Sequence, residues 1–169
     1  NEINDHIKHL KRWAKPKKVK TPLYLMPSKS YVMYEPYGVA LIIAPWNYPF
    51  QLTMIPVIGA IAGGNTVVIK PSRNTPNVTK VIKKIFDIFD DSYVYVVRKE
   101  EEIAVLLDQK FDFIFYTGSP DMGKTLVEKQ AKYLTPMVLE LGGKSPCIID
   151  KDADIVTSAK RVVWGKFLN

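Results

Sequence analysis

Only one cysteine, Cys147, stands in the 169 residues. A lone thiol excludes an intrachain disulfide framework and suits a reducing cytosol. No window holds 18 consecutive apolar residues, so no segment reads as a transmembrane helix. The first residues lack the basic–apolar–small order of a secretory signal, so the chain reads as soluble and cytoplasmic. There is no internal repeat and no low-complexity tract, and no metal site is expected. What is present suits one globular domain: 47% of residues are apolar, enough for a core at this length.

The net charge is +7, and much of the positive charge lies early, in KHLKRWAKPKKVK, residues 8–20. The plain reading is a solvated helix face followed by a linker. The sharper one is a surface for nucleic acid or anions. Only Trp13 interleaves with these cations, so no base-stacking platform is evident and no nucleic-acid partner is expected.

Apolar spacing at Ile3, Ile7, Leu10 and Trp13 predicts a helix over Asn4–Ala14, ended by Pro16. Two strand-like pieces follow, Leu23–Met26 and Tyr31–Tyr34, with a turn at Pro27–Ser30. From Gly38 the texture changes. GVALIIA, 38–44, is a continuous apolar run, as in a strand buried on both faces. A helix is expected within Gln51–Ala62, stopped by Gly63-Gly64-Asn65. Strands at 66–70, 93–97, 111–116 and 135–140 then alternate with helices at 76–89, 100–108 and 120–132. Alternation of this kind predicts an α/β fold with a Rossmann-like, mainly parallel sheet and flanking helices. The end of the chain, VVWGKFLN, shows no stop signal, and the expectation is a fragment cut within an element.

One stretch matches a P-loop letter for letter: GSPDMGKT, Gly118–Thr125, fits G-x-x-x-x-G-K-[ST] after an apolar run. A P-loop wraps phosphates in backbone N–H groups and uses its Lys and Ser/Thr on phosphate and Mg²⁺. Here Pro120 removes one of those donors, although CIID offers Asp150 as a partner for the metal. The competing reading uses only TGS and Gly123. Gly118 permits a tight turn, Ser119 offers a hydroxyl, and a helix N-terminus then faces the pyrophosphate of a dinucleotide. On this stretch alone an ATP- or GTP-binding protein and a dinucleotide-binding one both remain open.

Four segments in order separate them: PWNYPF at 45–50, VVIKPS at 67–72, FYTGS at 115–119 and LELGGKSP at 139–146. In this order and spacing they resemble the aldehyde dehydrogenase superfamily, across essentially the whole chain. MYEPYGVALIIAPWNYPF looks closest to the class 3-like branch, which acts on medium- and long-chain aliphatic and aromatic aldehydes. The resemblance implies NAD(P)-dependent oxidation of aldehydes to carboxylic acids, and a homodimer. It divides the chain into an N-terminal helix and basic linker (1–21), strands of an oligomerisation element (22–37) and an incomplete NAD(P)-binding Rossmann-like domain (38–169).

The resemblance also assigns roles. Asn47 matches the asparagine that donates to the oxyanion, for which a neutral amide is a suitable donor. Glu140 matches the general base, its position beside Gly142 and Gly143 allowing it to swing and be partly desolvated. For NAD or NADP, Lys70 would reach the adenosine ribose, with Pro71 and Ser72 shaping the strand exit. Ser119 would touch the pyrophosphate, with Gly118 and Gly123 giving room. Ala44, Pro45 and Trp46 would line the nicotinamide side, and Leu141 and Gly142 would lie beneath the ring.

Arg73 departs from the pattern, since many NAD-preferring members carry Glu there. A guanidinium pairs with a 2′-phosphate where a carboxylate repels it, so NADP is expected to be tolerated. The family's nucleophile follows an Asn-x-Gly-Gln-x-Cys segment, which would begin at Asn169. Cys147, in the apolar SPCIID, is expected to be a buried strand residue with a blunted thiol. The fragment is therefore expected to bind dinucleotide without oxidising aldehyde.

Overall fold

The computed structural model describes residues 2–97 and 103–168. Helix α1, Glu2–Trp13, carries acidic residues in its first turn and Lys11 and Arg12 in its last, the order the helix dipole favours. Two short strands follow, β1 (Lys17–Val19) and β2 (Ser30–Val32), paired antiparallel with Lys18 opposite Tyr31. This corrects the sequence expectation. Leu23–Leu25 is a 3₁₀ turn, and the partner of β2 lies in the lysine-rich stretch expected to be linker. A three-residue strand has no periodicity of its own; only its pairing defines it.

The run at 39–43 forms β3, Val39–Ile43, in which Ala40 to Ile43 are all buried. Helix α2, Gln51–Ala62, ends where Gly64 takes a left-handed conformation (φ +83°). Then come β4 (Thr66–Lys70), α3 (Pro76–Phe86), β5 (Val94–Val96) and α4 (Ile103–Leu107). The first three positions of the helix expected at 100–108 lie outside the described residues. The chain continues with β6 (Phe113–Gly118), α5 (Pro120–Gln130), β7 (Met137–Leu141) and α6 (Ile155–Lys166).

Five strands form one sheet in the order β5-β4-β3-β6-β7, every neighbouring pair parallel. The pleat explains why β3 is apolar throughout. Ile42 joins Val57, Ile69, Ile82 and Phe86 on the α2–α3 side. Leu41 and Ile43 join Leu107, Phe111, Ile114 and Leu126 on the α4–α5 side. A central strand covered on both faces has no solvent side to mark with polar residues.

Beyond β7 the expectation fails. Residues 142–150 form no strand, and Cys147 is exposed. The sheet ends at β7, so SPCIID has no neighbour to pair with among the described residues. Helix α6, which sequence spacing had not singled out, is capped by Asp154, whose carboxylate accepts the Thr157 N–H at 2.6 Å.

Candidate active site

A parallel sheet gathers its loops at the carboxyl ends of the strands, and a crevice opens where successive connections diverge. Here β3 leads outward through β4 to β5, while β6 and β7 extend the other side. The divergence lies between β3 and β6. A cleft of about 560 Å³ opens there, lined by residues 43–47 after β3, 116–119 at the end of β6 and 140–142 at the end of β7.

Nine of the candidates from sequence border that one cleft: Ala44 to Asn47, Gly118 and Ser119, and Glu140 to Gly142. The register of β6 and β7 sets Glu140 opposite Thr117 and Leu141 opposite Gly118. After β3 the chain bends at Trp46–Tyr48, leaving Trp46 and Asn47 exposed to the cleft. Asn47 is not the cap of the helix that follows. The N-cap of α2 is Phe50, which makes no side-chain cap bond. Glu140 is exposed, so the partial desolvation expected of it is not provided by this chain.

At the end of β6, Ser119 caps α5. Its Oγ accepts the Met122 N–H at 3.3 Å, and its carbonyl accepts the Gly123 N–H at 3.0 Å. The Ser119 hydroxyl proton stays available to donate. The Tyr116 hydroxyl donates to the same carbonyl at 3.0 Å. A methyl group on Gly118 would stand 2.7 Å from Tyr116 Cζ, so Tyr116 itself requires glycine at this position. Gly123 does not border the cleft. It is buried within α5, where a Cβ would meet Leu141 Cδ2 at 3.2 Å, and it seats the helix on the sheet.

The remaining candidates gather at the next strand end. Lys70, Ser72 and Arg73 border a second cleft of about 340 Å³, closed on its other wall by α3. The Ala44 N–H donates to Lys70 O at 3.1 Å, tying the loops behind the two clefts together. Lys70 Nζ donates to Pro71 O at 3.2 Å. Sequence reasoning missed Tyr116 and Thr117 in the first cleft and Thr79, Lys80 and Lys83 in the second. The α3 residues were findable: positions 76, 79, 80 and 83 share one helical face.

The P-loop match dissolves in three dimensions. Helix α5 begins at Pro120, so three of the four residues between the two glycines are already helical and no wrapping loop exists. Lys124 is exposed on that helix and borders neither cleft. The Thr125 hydroxyl donates back to Asp121 O at 3.1 Å. Cys147 also lies outside both clefts. Among the described residues no three His, Cys, Asp or Glu side chains are grouped to hold a metal ion, and no helix is long and apolar enough to cross a membrane.

Comparison with known proteins agrees with this geometry. The aldehyde dehydrogenase family model matches residues 2–169. The 4,4′-diaponeurosporen-aldehyde dehydrogenase of Staphylococcus aureus is 51% identical over 96% of this chain and 36% of its own. Aldehyde dehydrogenase family 3 member A2 of Macaca fascicularis is 48% identical over 99% of this chain and 35% of its own. Among solved structures, substrate-bound AldH of Staphylococcus aureus superposes with a TM-score of 0.91 at 50% identity, covering 98% of this chain and 37% of that one. An aldehyde dehydrogenase of Mycobacterium tuberculosis complexed with NAD+ gives 0.81 at 28% identity, covering 96% and 34%. The chain thus spans about a third of the length of the relatives it matches. Its sheet, its strand-end clefts and its match from residue 2 to 169 agree: the chain belongs to the aldehyde dehydrogenase family.

Proposed function

We propose that the whole protein oxidises aldehydes to carboxylic acids with NAD or NADP, and that this chain forms its dinucleotide-binding part. The observation that carries the reading is the convergence of Asn47 and Glu140 on one cleft, from strands separated by β6. An amide donor and a carboxylate on opposite rims are the pair that aldehyde oxidation through an acyl intermediate requires.

The donor chemistry of both clefts fits a dinucleotide. Pro45, Trp46 and Leu141 offer flat apolar surface for a ring, beside the Ser119 hydroxyl at a helix N-terminus. Lys70, Ser72 and Arg73 offer cations and a hydroxyl for ribose and phosphate. A bound nicotinamide supplies the acceptor for the hydride that leaves the substrate carbon. Overall, aldehyde, water and oxidised dinucleotide become carboxylate, reduced dinucleotide and two protons.

In that chemistry Asn47 Nδ2 donates to the carbonyl oxygen as negative charge collects on it. The Glu140 carboxylate takes a proton from the water that releases the acid. Cys147 is not assigned as the nucleophile, since it does not line the cleft. Arg73 replaces a carboxylate that would repel a 2′-phosphate, which supports use of NADP as well as NAD.

The substrate proposed is a medium- or long-chain aliphatic or aromatic aldehyde, as the class 3-like resemblance of MYEPYGVALIIAPWNYPF implies. A homodimer is supported by β1–β2, which stand apart from the main sheet with Tyr31, Val32, Met33 and Tyr34 exposed. A cytoplasmic setting is supported by the single cysteine. No nucleic-acid partner is included. The test is formation of reduced dinucleotide by the whole protein with aliphatic and aromatic aldehydes. No turnover with any aldehyde, alongside tight dinucleotide binding, would refute the oxidation reading.

A further inference from the structure

Helix α3 begins four residues after Ser72 and runs along the wall of the second cleft. Its residues 76, 79, 80 and 83 lie on the cleft side, as the 3.6-residue period requires. Two of them are lysines, Lys80 and Lys83, and Arg73 stands on the loop that leads into the helix. The cleft lining therefore carries cations from two separate elements and not one carboxylate. Among the described residues, Arg73, Lys80 and Lys83 have no ion-pair partner.

Clustered cations without counter-charges repel one another, and an anion relieves that repulsion. The lining of the cleft narrows the choice of anion. It sets the hydroxyls of Ser72 and Thr79, which suit ribose, beside the cations of α3 and Arg73. A phosphomonoester on a ribose would present its charge there, whereas an unmodified ribose would leave those cations unmatched.

We propose that Lys80 and Lys83 on α3, together with Arg73, form a phosphomonoester site in this cleft that holds the 2′-phosphate of NADP. The proposal rests on the dinucleotide reading above and extends it to helix α3, making the lysines of that helix determinants of cofactor choice. Arg73 supplies a planar fork to one side of the phosphate. Lys80 and Lys83, three residues apart on the helix, supply two ammonium groups to the other, with their side-chain origins about 5–6 Å apart. Lys83 also borders the neighbouring cavity that contains Asp87 and Asp91, so Lys80 carries the larger share.

Isothermal titration of the chain with NADP and with NAD tests this, using Lys80→Glu, Lys83→Glu and Lys84→Glu. Lys84 is on the same helix but does not border the cleft, so its variant makes the same change in net charge away from the site. Expected is a fall in the NADP-to-NAD affinity ratio of about tenfold for Lys80→Glu, and less for Lys83→Glu, the scale of one charge-assisted hydrogen bond. Lys84→Glu leaves the ratio unchanged. All three exchanges concern exposed side chains, and circular dichroism of each variant verifies that folding is retained. If both dinucleotides bind and Lys80→Glu leaves their ratio unaltered, or Lys84→Glu lowers it equally, the phosphomonoester site is refuted while the dinucleotide reading stands. If neither dinucleotide binds the unmodified chain, both fall.

Discussion

Gly118 and Tyr116 share one space: a Cβ on Gly118 would lie 2.7 Å from Tyr116 Cζ, and the tyrosine hydroxyl ties down Ser119 O at 3.0 Å. The turn from β6 into α5 is therefore shaped from beneath by an aromatic ring. Its glycine answers to packing before it answers to any phosphate. Gly118→Ala is expected to cost about 1–3 kcal/mol by overpacking. In a Tyr116→Ala background the same change becomes nearly neutral, because the obstacle is gone. Urea denaturation of the two single variants and the double variant measures this coupling. Additive effects would show that the ring does not impose the glycine.

Asn47 and Glu140 are predicted to separate by kinetic step. In the whole protein Asn47→Ala lowers kcat by about 10²–10³, the range for loss of one oxyanion donor. Glu140→Gln keeps the carboxyl's shape and removes its basicity. It should leave the first turnover visible as a burst of reduced dinucleotide while steady turnover falls. Rapid-mixing absorbance distinguishes the two. Loss of the burst in Glu140→Gln would move that residue out of the water-activating role.

The legibility of this fold in sequence followed the length of each apolar pattern. The bounds of α2 and β4 were readable because Gly63-Gly64-Asn65 stop one element and a run of Val, Val and Ile makes the next. The strand Lys17–Val19 was not, because only its pairing with distant residues creates it, whereas its partner Ser30–Val32 overlaps the strand expected at Tyr31–Tyr34. SPCIID misled for a different reason. Its apolar residues signal burial, but the sheet ends at β7 and nothing described here packs over Cys147. Asp154 ahead of Ile155, Val156 and Ala159 was a usable signal for α6. The motifs pointed to residues after β3, β6 and β7 that line one cleft. Gly123 lies off the cleft lining, and its close neighbours Leu139 and Leu141 come from β7. The motifs passed over the α3 wall, because a helical face carries no motif.

Lys124 gives a direct check on the discarded P-loop. Exposed on α5 and outside both clefts, it should tolerate Lys124→Ala with NAD and NADP affinities changed less than about twofold, within the small range of an exposed charge. Mg·ATP should bind neither form tightly. Calorimetric titration reads both results. A large loss of affinity on Lys124→Ala would return this lysine to the phosphate site.

Gln130 is the buried polar joint between α5 and the turn before β6. Its amide donates to Leu107 O at 2.8 Å and Gln109 O at 2.9 Å, and its Oε1 lies 3.1 Å from the Thr135 hydroxyl. Gln130→Leu nearly conserves volume but strands those acceptors. The expected loss is about 2 kcal/mol, a fall in Tm of about 4–8 °C. A Tm that is unchanged or raised would show that the network contributes specificity without stability.

A dinucleotide in the strand-end clefts is proposed to set its nicotinamide half against Trp46. Fluorescence titration with NAD and NADP, on the chain and on Trp46→Phe, tests it most directly, since Trp13 and Trp164 lie outside that cleft. Saturable quenching by both dinucleotides that disappears in Trp46→Phe is expected, with no response to Mg·ATP. Quenching that survives in Trp46→Phe, or a response to Mg·ATP without one to either dinucleotide, would contradict it.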